Sequence, residues 1–468
     1  MATMDCRLRV WAAAGLLFLF VAAAVAQTPA PSPLTPPLTL SAAVAEALRS
    51  SPRLRAAAAA ERQAQAAIGA ARAGRLPQLD AQESFTRSDN PVTVFGTLLN
   101  QQGFTAADFA LTQLNQPAPL NDFQTQISAR VPLFDAGQAE LRQREATLGV
   151  ALAGSSGEQT RQAVISAVIG AFYHLSASQA AVAVAESAAT TAASGLKMAD
   201  ARYNAGMVVV SDQLSAQAYA AQAQADLVAA RNRATAAAEA LNRELGRPLG
   251  DPVTIIAASA PDAAPEDSAT LAALLTTAGR QRPELREQQD RVAIASTELR
   301  RARAAFLPQL DGMAAWQRDQ MHFTGAGGSN WTLGLTLRVN LFRGGADRAA
   351  VTTAQAQRAR RQAELDDLRT GVDLQVRQAW LAVDTARQQV TLARQVVEHA
   401  TAALAVVQTR YNSGLATISD LLRTETELTE ARTRLLDAGY DIEVSLANRA
   451  LAAGELTSAS AVMAGAGQ

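Results

Sequence analysis

Hydrophobic residues recur along much of this chain with the spacing of a coiled coil. From Val372 to Val407, an apolar residue or alanine stands alternately four and three positions after the previous one. This period of about 3.5 residues predicts the seam of a left-handed coiled coil. A matching seam runs from Val164 to Ala199, where only Ser178 interrupts it. Because many seam residues are alanine, we expect slender helices whose backbones approach closely.

These helices are predicted to be very long. No proline interrupts residues 137–203 or 345–411, so each stretch is expected to form one helix of about 65 residues, roughly 100 Å long. After a turn, a returning helix is expected to run back for about 35 residues, to Gly246 and to Gly454. The sequence therefore predicts two long helical hairpins, over 137–246 and 345–454.

A second pattern has a period of two and predicts β-strands. Apolar residues alternate with polar or small ones between Trp331 and Leu341, and again between Phe123 and Leu133. Runs of about eleven residues are long enough for a tilted strand that crosses a membrane. We expect strands at about 123–134 and 331–342, with weaker partners at about 77–87 and 308–318. The connections between partners are expected to be loops, at about 88–122 and 324–330.

The chain is built from two similar halves. Residues 202–212 (RYNAGMVVVSD) return as 410–420 (RYNSGLATISD), 208 positions later. A repeat at a fixed offset indicates that one supersecondary unit occurs twice. The LPQLD segments at 76–80 and 307–311 are instead 231 positions apart, so about 23 extra residues belong to the long loop of the first half.

This duplication predicts how the chain is divided. A first repeat at 27–246 and a second at 268–468 are joined by a linker at 247–267 that contains four prolines. Each repeat is expected to hold a short helix, a longer helix, two strands and a long helical hairpin. The helical segments are expected at 38–74 and 268–305, and a C-terminal tail follows residue 454.

Residues 1–26 have the features of a signal peptide. Arg7 and Arg9 precede an apolar run that ends at a small-residue cleavage site, AVA at 24–26. The only cysteine, Cys6, precedes this run, so we expect neither lipidation nor a disulfide in the mature chain. After Val25 we find no apolar stretch of the roughly 20 residues that a transmembrane helix needs. The protein is expected outside the cytoplasm, either soluble or embedded in a membrane through its strands.

Neither composition nor motifs indicate an enzyme. The formal net charge of −1 gives no indication of a nucleic-acid partner. His174, His322 and His399 lie far apart and lack the spacing of metal ligands. No Ser/His/Asp arrangement, phosphate loop or nucleotide fingerprint stands at a fitting position. We therefore expect no catalytic residue, no metal and no cofactor.

Four strands per chain cannot close a barrel. An open sheet edge cannot face lipid either, because its backbone groups would lack hydrogen-bond partners. The smallest solution is a barrel shared between chains. Three chains would supply twelve strands, and their long helices would continue the barrel as a hollow tube.

Motifs along nearly the whole mature chain resemble those of the TolC family of outer-membrane efflux proteins. Each motif is weak alone, but their order and duplication are specific. They are the segment LTLSAAVAEAL at 38–48 with Pro52 after it, both LPQLD segments, the LFxxG junctions at 133–137 and 341–345, and the YNxG turns that begin at Tyr203 and Tyr411. The resemblance implies a mainly α-helical fold with a small transmembrane β part, a TolC-like channel-tunnel in which three copies complete a twelve-stranded barrel.

The resemblance also implies a function and partners. The chain would be a passive exit duct of a tripartite efflux pump or type I secretion system, embedded as a homotrimer in outer-membrane lipid with a large periplasmic portion. A periplasmic adaptor and an inner-membrane transporter, RND-type or ABC-type, would dock at the helical end and supply the energy. The adaptor would contact the hairpin tips, at Gly206, Met207, Gly414 and Leu415.

Gate residues are implied beside these tips. Asp420 stands where the family's best-known member has the first of two pore acids, whereas Arg423 occupies the second position. Asp212 and Tyr411 are the other gate candidates, and Ala416 replaces an arginine that ties neighbouring helices in that protein. As a hypothesis, Asp420 holds the closed state with Arg423 of a neighbouring copy.

Each of these assignments has a structural alternative. The two aspartates follow helix turns, where an acid is favoured by the helix dipole. Tyr411 is equally compatible with simple packing. The aromatic residues near the strand ends form either an interfacial belt or ordinary sheet packing; they are Trp331, Phe342, Phe123 and Phe134.

A second function fits the helical pattern alone. The chain could be a soluble periplasmic coiled-coil adaptor or structural protein. Such a protein would not need two lipid-compatible strand pairs, so the strand alternation and the duplication favour the duct. The cargo stays open, because selection lies largely with the transporter.

Overall fold

A computed structural model describes residues 37–256 and 270–458 of the chain. The predicted signal peptide, linker residues 257–267 and the tail at 459–468 lie outside the described residues. The described part is mostly helical with four strands, which confirms the predicted fold class. The first half contains α1 (Leu40–Ser50), α2 (Pro52–Ala73), β1 (Gln78–Ser88), α3 (Pro91–Asn100), α4 (Leu111–Asn115), β2 (Leu120–Phe134), α5 (Gln138–Asn204) and α6 (Val210–Leu245). The second half contains α7 (Leu271–Gln281), α8 (Pro283–Ala304), β3 (Gln309–Gln320), β4 (Gly327–Arg338), α9 (Ala346–Asn412) and α10 (Ile418–Ala453).

The longest helices begin at a glycine in each half. Gly137 and Gly345 adopt φ angles of +77° and +87°, in the left-handed region that a side chain disfavours. Each glycine turns the chain from the end of a strand into a helix of 67 residues, which is about 100 Å long. The returning helices α6 and α10 each have 36 residues. The two halves therefore repeat the hairpin in length as well as in sequence.

The strands form one antiparallel sheet in the order β1-β2-β3-β4. Side chains alternate between the faces of a sheet, and here one face is apolar and the other polar. An apolar row across the sheet is Leu79, Ala129, Ala314 and Leu333, and a polar row on the opposite face is Gln82, Gln126, Gln317 and Asn330. The chain leaves the apolar face uncovered, since Trp331, Leu333 and Leu335 are 70–76% exposed.

The largest buried cluster joins the two halves. It contains Leu40 of α1, Phe172 and Tyr173 of α5, Leu241 of α6 and Tyr440 of α10. The hydroxyl of Thr39 caps α1 by accepting a hydrogen bond from the Ala42 N–H at 3.2 Å. A second cluster packs α7 and α8 against α9 and the end of α10. Because α5 and α10 share one core, neither hairpin is an independent unit.

The helical segments before the strands are each split in two. Ser51 separates α1 from α2, and Arg282 separates α7 from α8. Pro52 and Pro283 then begin the second helix of each pair. Proline disfavours a helical residue before it but suits the first position of a helix. The prolines therefore divide the regions 38–74 and 268–305 into the short helix and the longer helix predicted for each half.

The connections between strands differ from the predicted loops. Residues 88–122 contain α3, α4 and a 3-10 helix at Ala106–Phe109. The glycine-rich loop expected at 324–330 is shorter, because β4 begins at Gly327 and ends at Arg338. Glycine ordinarily weakens a strand. At Gly328 it is required, since an added Cβ would lie 1.9 Å from the Asn100 carbonyl oxygen.

One described helix has a composition that would suit a membrane. By length and composition only, an 18-residue window of α5 is apolar enough to cross a membrane, contrary to the expectation that no such stretch follows Val25. One third of that window (33%) is buried inside the chain. Ile165, Ile169 and Phe172 of α5 lie in the main core. The resemblance of α5 to a membrane-spanning helix therefore rests on its composition and length alone.

Candidate functional site

The predicted tip residues lie in two matching turns. Gly206 and Gly414 adopt φ angles of +70° and +73°, which glycine tolerates without strain. The next residue closes each helix, because the N–H of Met207 donates to the Arg202 carbonyl and that of Leu415 to the Arg410 carbonyl, both at 2.8 Å. This is the Schellman pattern of helix ends. The side chains of Met207 and Leu415 are left 74% and 69% exposed.

The two tips pack against each other through a small apolar cluster. Its buried members are Ala199, Ala216, Tyr411, Ile418 and Leu421. Tyr411 is only 7% exposed, whereas its counterpart in the first repeat, Tyr203, is 39% exposed. The duplicated tyrosines are therefore not equivalent, and only the second is a core residue of the tips.

A cation–π contact joins the two hairpins at the same place. The guanidinium carbon of Arg202 lies 4.5 Å from the centre of the Tyr411 ring. An arginine at this distance is attracted to the negative face of the ring. The structure thus brings Tyr411, one of the gate candidates, together with a basic residue that the sequence did not single out.

Asp420 is a capping residue of α10. Its backbone N–H donates to the Thr417 hydroxyl at 3.2 Å, and its carboxylate accepts from the Thr417 N–H at 3.2 Å and hydroxyl at 2.8 Å. These reciprocal bonds form a capping box. The bonds from the Thr417 side chain and backbone lower the pKa of Asp420. The carboxylate is therefore charged at neutral pH.

Arg423 lies one helical turn beyond Asp420 on the same helix. Its guanidinium is 3.6 Å from the Asp420 carboxylate, and its side chain is 70% exposed. Exposed pairs of this kind contribute little to stability. The contact nevertheless places a positive and a negative group side by side at the second tip, within one chain.

Asp212 occupies the matching position of α6 but lacks the capping box. The residue before α6 is Val209, which has no side-chain acceptor, whereas Thr417 fills that position in the second repeat. In the described part of the chain, Asp212 forms no hydrogen bond or ion pair with Tyr411, Asp420 or Arg423. The four gate candidates are thus near the two tips, but only Asp420 and Arg423 are joined.

Two acids on α10 whose pKa values are raised, Glu443 and Asp437, were missed by the sequence analysis. The Tyr173 hydroxyl donates to the Glu443 carboxylate at 3.2 Å. Burial raises the pKa of Glu443, and the bond from Tyr173 opposes this shift. Burial, and next the neighbouring Asp441, raises the pKa of Asp437. The repeat offset could have revealed these acids, because their α6 counterparts are uncharged: Glu443 matches Thr235, and Asp437 matches Ala229.

The aromatic residues proposed as a belt occupy different levels of the sheet. Phe123 contacts Phe85 with ring centroids 4.7 Å apart, near the ends of the strands remote from the long helices. Phe134 is the last residue of β2, at the helical end. Phe342 lies beyond β4 and is 84% exposed. Trp331 lies within β4 opposite Trp316, so it is not at a strand end as expected.

An apolar stripe runs along α9 outside the cores. Its residues are 46–59% exposed and fall within about a quarter of the helix circumference at 3.6 residues per turn. They are Leu374, Leu381, Leu392, Val396 and Val406. A stripe of this kind on a long helix is the usual sign of a packing surface.

Comparisons with known proteins agree on one family. The model of a family described as outer membrane efflux protein matches residues 43–247 and 274–455. Protein CyaE of Bordetella pertussis is 27% identical over 333 residues, which is 69% of this chain and 69% of CyaE. Alkaline protease secretion protein AprF of Pseudomonas aeruginosa is 26% identical over 399 residues, 83% of this chain and 78% of AprF.

A solved structure shares the fold of most of the chain. The Campylobacter jejuni CmeC outer membrane channel superimposes with a TM-score of 0.75 at 18% identity. The match covers 90% of this chain and 87% of CmeC. At this identity the likeness shows the fold alone.

Proposed function

The chain belongs to the outer membrane efflux protein family, and from this premise we propose that it is the passive outer-membrane exit duct of a tripartite efflux pump or type I secretion system. One observation carries the proposal. A four-stranded sheet with an exposed apolar face continues directly into two helical hairpins about 100 Å long. The apolar face suits lipid, the polar face suits a water-filled lumen, and the hairpins suit a periplasmic tunnel.

We propose that the duct is a homotrimer. The sheet of one chain leaves β1 and β4 as open edges, which cannot face lipid unpaired. These edge strands run in opposite directions, so β4 of one copy can pair antiparallel with β1 of the next. Three copies would close a twelve-stranded barrel. The apolar stripe on α9 supports this assembly, because a neighbouring copy would cover it.

The partners we propose act at the helical end. The exposed side chains of Met207 and Leu415, at turns that also contain Gly206 and Gly414, offer apolar contacts for a periplasmic adaptor. An inner-membrane transporter of the RND or ABC type would supply the energy, since the chain itself has no catalytic role in this proposal. The name of AprF describes secretion of a protease, so proteins are included among the proposed cargo classes.

The alternative of a soluble periplasmic adaptor has no support from the comparisons. The family model covers both strand pairs as well as the hairpins. A soluble protein would also expose the apolar face of the sheet to water, where Trp331, Leu333 and Leu335 would each lose the benefit of burial. The duct is therefore the one function that accounts for the sheet and the helices together.

Single-channel recording tests the duct. The mature protein, purified in detergent as a trimer-sized particle, is added to a planar bilayer. We expect a small, stable, ion-selective conductance. A protein that stays in the aqueous phase and never inserts would overturn the proposal.

We further propose that Asp420 contributes to a periplasmic gate, alongside Arg423, Tyr411 and Asp212. A ring of three carboxylates would attract cations and hold them in the pore. Asp420→Asn keeps an acceptor for Thr417 but removes the charge, so we expect higher conductance and weaker block by multivalent cations from the periplasmic side.

The matched control for this gate is Thr417→Ala. It breaks the capping box but keeps the carboxylate of Asp420. Equal effects of the two substitutions would assign the change to fraying of α10 instead of to charge. If the conductance and the cation block of Asp420→Asn are unchanged, the proposed gate role of Asp420 is contradicted. The proposal that the chain is a duct is not affected.

A further inference from the structure

The connection between β1 and β2 is a folded unit. Its first helix, α3, is capped by Asn90, whose side-chain oxygen accepts from the N–H groups of Val92 and Thr93 at 3.0 and 3.2 Å. A short aromatic cluster follows, in which Phe104 makes edge-to-face contacts with Phe95 and Phe109, both at 5.0 Å. We call residues 89–119 the cap.

The cap is present in one repeat only. In the second repeat, β3 and β4 are joined by residues 321–326 alone. The additional length is therefore a feature of this one loop and does not come from the duplicated unit.

The end of α3 packs against the sheet. The side-chain amide of Gln101 donates to the Asn121 carbonyl and to the Asp122 carboxylate, both at 2.9 Å. The Asn100 carbonyl lies so close to Gly328 that an added Cβ would be 1.9 Å away. These contacts reach from β2 to β4, over three of the four strands.

The cap lies on the polar face. Gly328 follows the alternation of Asn330 and Thr332, opposite to that of Trp331 and Leu333. The register pairs Gly328 with Asp319, which is fully buried although it belongs to the polar face. Its carboxylate accepts from the amides of Gln124 and Gln317 at 3.0 and 2.8 Å. The cap therefore covers the polar face at the ends of the strands remote from the long helices.

A ligand site inside the cap is a weaker explanation. A cavity of about 310 Å³ lies among Val94, Phe95, Phe104 and Leu114. It is lined mainly by the cap's own apolar residues, and the carboxylate of Asp108, which also lines it, already accepts hydrogen bonds from Thr105. The position of the cap over the polar face is the stronger observation, since several independent contacts hold it there.

We propose that the cap folds into the extracellular mouth of the duct and sets a size limit on what passes through it. This inference rests on the proposed function, because the polar face becomes a lumen only in a closed barrel. Three caps would then project inward from the barrel wall. Pore diameter decides passage, so the mouth would be a second constriction in addition to any periplasmic gate.

The test uses cysteine labelling in intact cells, because the only cysteine of the chain, Cys6, lies in the predicted signal peptide. Thr332→Cys places a thiol on the polar face below the cap, and Leu333→Cys places one on the apolar face. Each variant is treated with a small membrane-impermeant maleimide and with a bulky polyethylene glycol maleimide. A capless form replaces residues 89–119 with a two-residue Asn-Gly turn, which suits a hairpin.

With the cap present, we expect Thr332→Cys to react with the small reagent and to resist the bulky one. Removal of the cap should speed the bulky reaction at least roughly tenfold. Gly328→Ala should also speed the reaction with the bulky reagent, because the added Cβ would clash with Asn100. It does so without deleting any residue. Gly96→Ala is the matched control, since nothing lies within 4 Å of the added Cβ.

Each outcome decides the inference. If variants that assemble as trimers react equally fast with the bulky reagent with and without the cap, the proposed size limit is contradicted. The proposed duct is not affected by that result. If Thr332→Cys reacts with neither reagent even without the cap, the polar face does not line a lumen. That result would contradict the proposed duct as well as the proposed size limit. Trimer assembly is checked by size-exclusion chromatography, so that a misfolded variant is recognised.

Discussion

At the scale of single residues, the two duplicated turns have the same backbone conformation before their second helices, but only the second turn has an N-cap side chain. Val209 and Thr417 precede their helices with φ and ψ of −85° and 160°, and −82° and 160°. Only Thr417 offers an acceptor to the helix that follows. Asp212 stands three residues after Val209, as Asp420 does after Thr417. One substitution would therefore give the first repeat the capping box of the second.

Val209→Thr should stabilise the first hairpin tip. The new hydroxyl would accept a hydrogen bond from the Asp212 N–H, and a gain of about 1 kcal/mol is typical of such caps. Hydrogen exchange at the start of α6 measures the local stability. Val209→Ala is the control without an acceptor, and equal exchange in the two variants would contradict the prediction.

Glu443 makes the stability of the helical part depend on pH. Because burial raises its pKa in the folded chain, folding favours the protonated carboxyl. Its contribution is greatest below the ordinary pKa of glutamate and is lost as pH rises through the folded value. Glu443→Gln should therefore raise the melting temperature at neutral pH, because it removes the buried charge and keeps an acceptor for Tyr173.

The gain should disappear in acid, where the native carboxyl is itself protonated. Thermal unfolding of the two proteins, followed at neutral and at acidic pH, tests this dependence. Glu427→Gln, at an exposed position of the same helix, is the matched control. A gain that is equal at both pH values would show that the burial of Glu443 does not cause it.

At the scale of elements, the buried Tyr411 belongs to the apolar cluster that joins the two hairpins at their tips. Tyr411→Ala should cost about 3 kcal/mol, since it leaves a cavity in the tip cluster and removes the contact with Arg202. Tyr203→Ala, at the exposed counterpart, should cost less than about 1 kcal/mol. Hydrogen exchange in the last turns of α5 and α9 compares them, and equal losses would contradict the assigned burial.

The sheet shows how an element acquires two different environments. Its apolar face is exposed in the single chain, whereas the end of its polar face is covered by the cap. A strand in water would be expected to show the reverse pattern. The sheet is therefore suited to lipid on one side and to a partly filled polar interior on the other.

At the scale of the whole molecule, the stripe on α9 is the surface most in need of a neighbour. Leu381→Asp combined with Leu392→Asp should weaken the trimer by about 2 kcal/mol for each leucine whose burial is lost. Light scattering of the detergent-purified protein measures the assembly. Arg394→Asp, on the opposite side of α9, is the control; trimers of undiminished stability in the double variant would show that α9 is not an interface.

Much of the architecture could be predicted from the sequence because it depends on local periodicity. The seam residues around Val164 and Val372 and the alternation around Trp331 report the faces of helices and strands directly. The repeat offset located both tips, where Gly206 and Gly414 are needed for a left-handed turn. The hairpins, the two sheet faces and the family resemblance all follow from these patterns.

Only the tertiary structure decided features that depend on contacts between distant segments. Examples are the burial of Tyr411 but not of Tyr203, the hydrogen bond between Tyr173 and Glu443, and the close approach of Asn100 to Gly328. Each depends on residues that are far apart in sequence. A periodic pattern states which face of an element is apolar, but not which element will cover it. The sequence by itself therefore determined the elements and their faces, and the packing of the two halves determined which side chains became buried, paired or left for a partner.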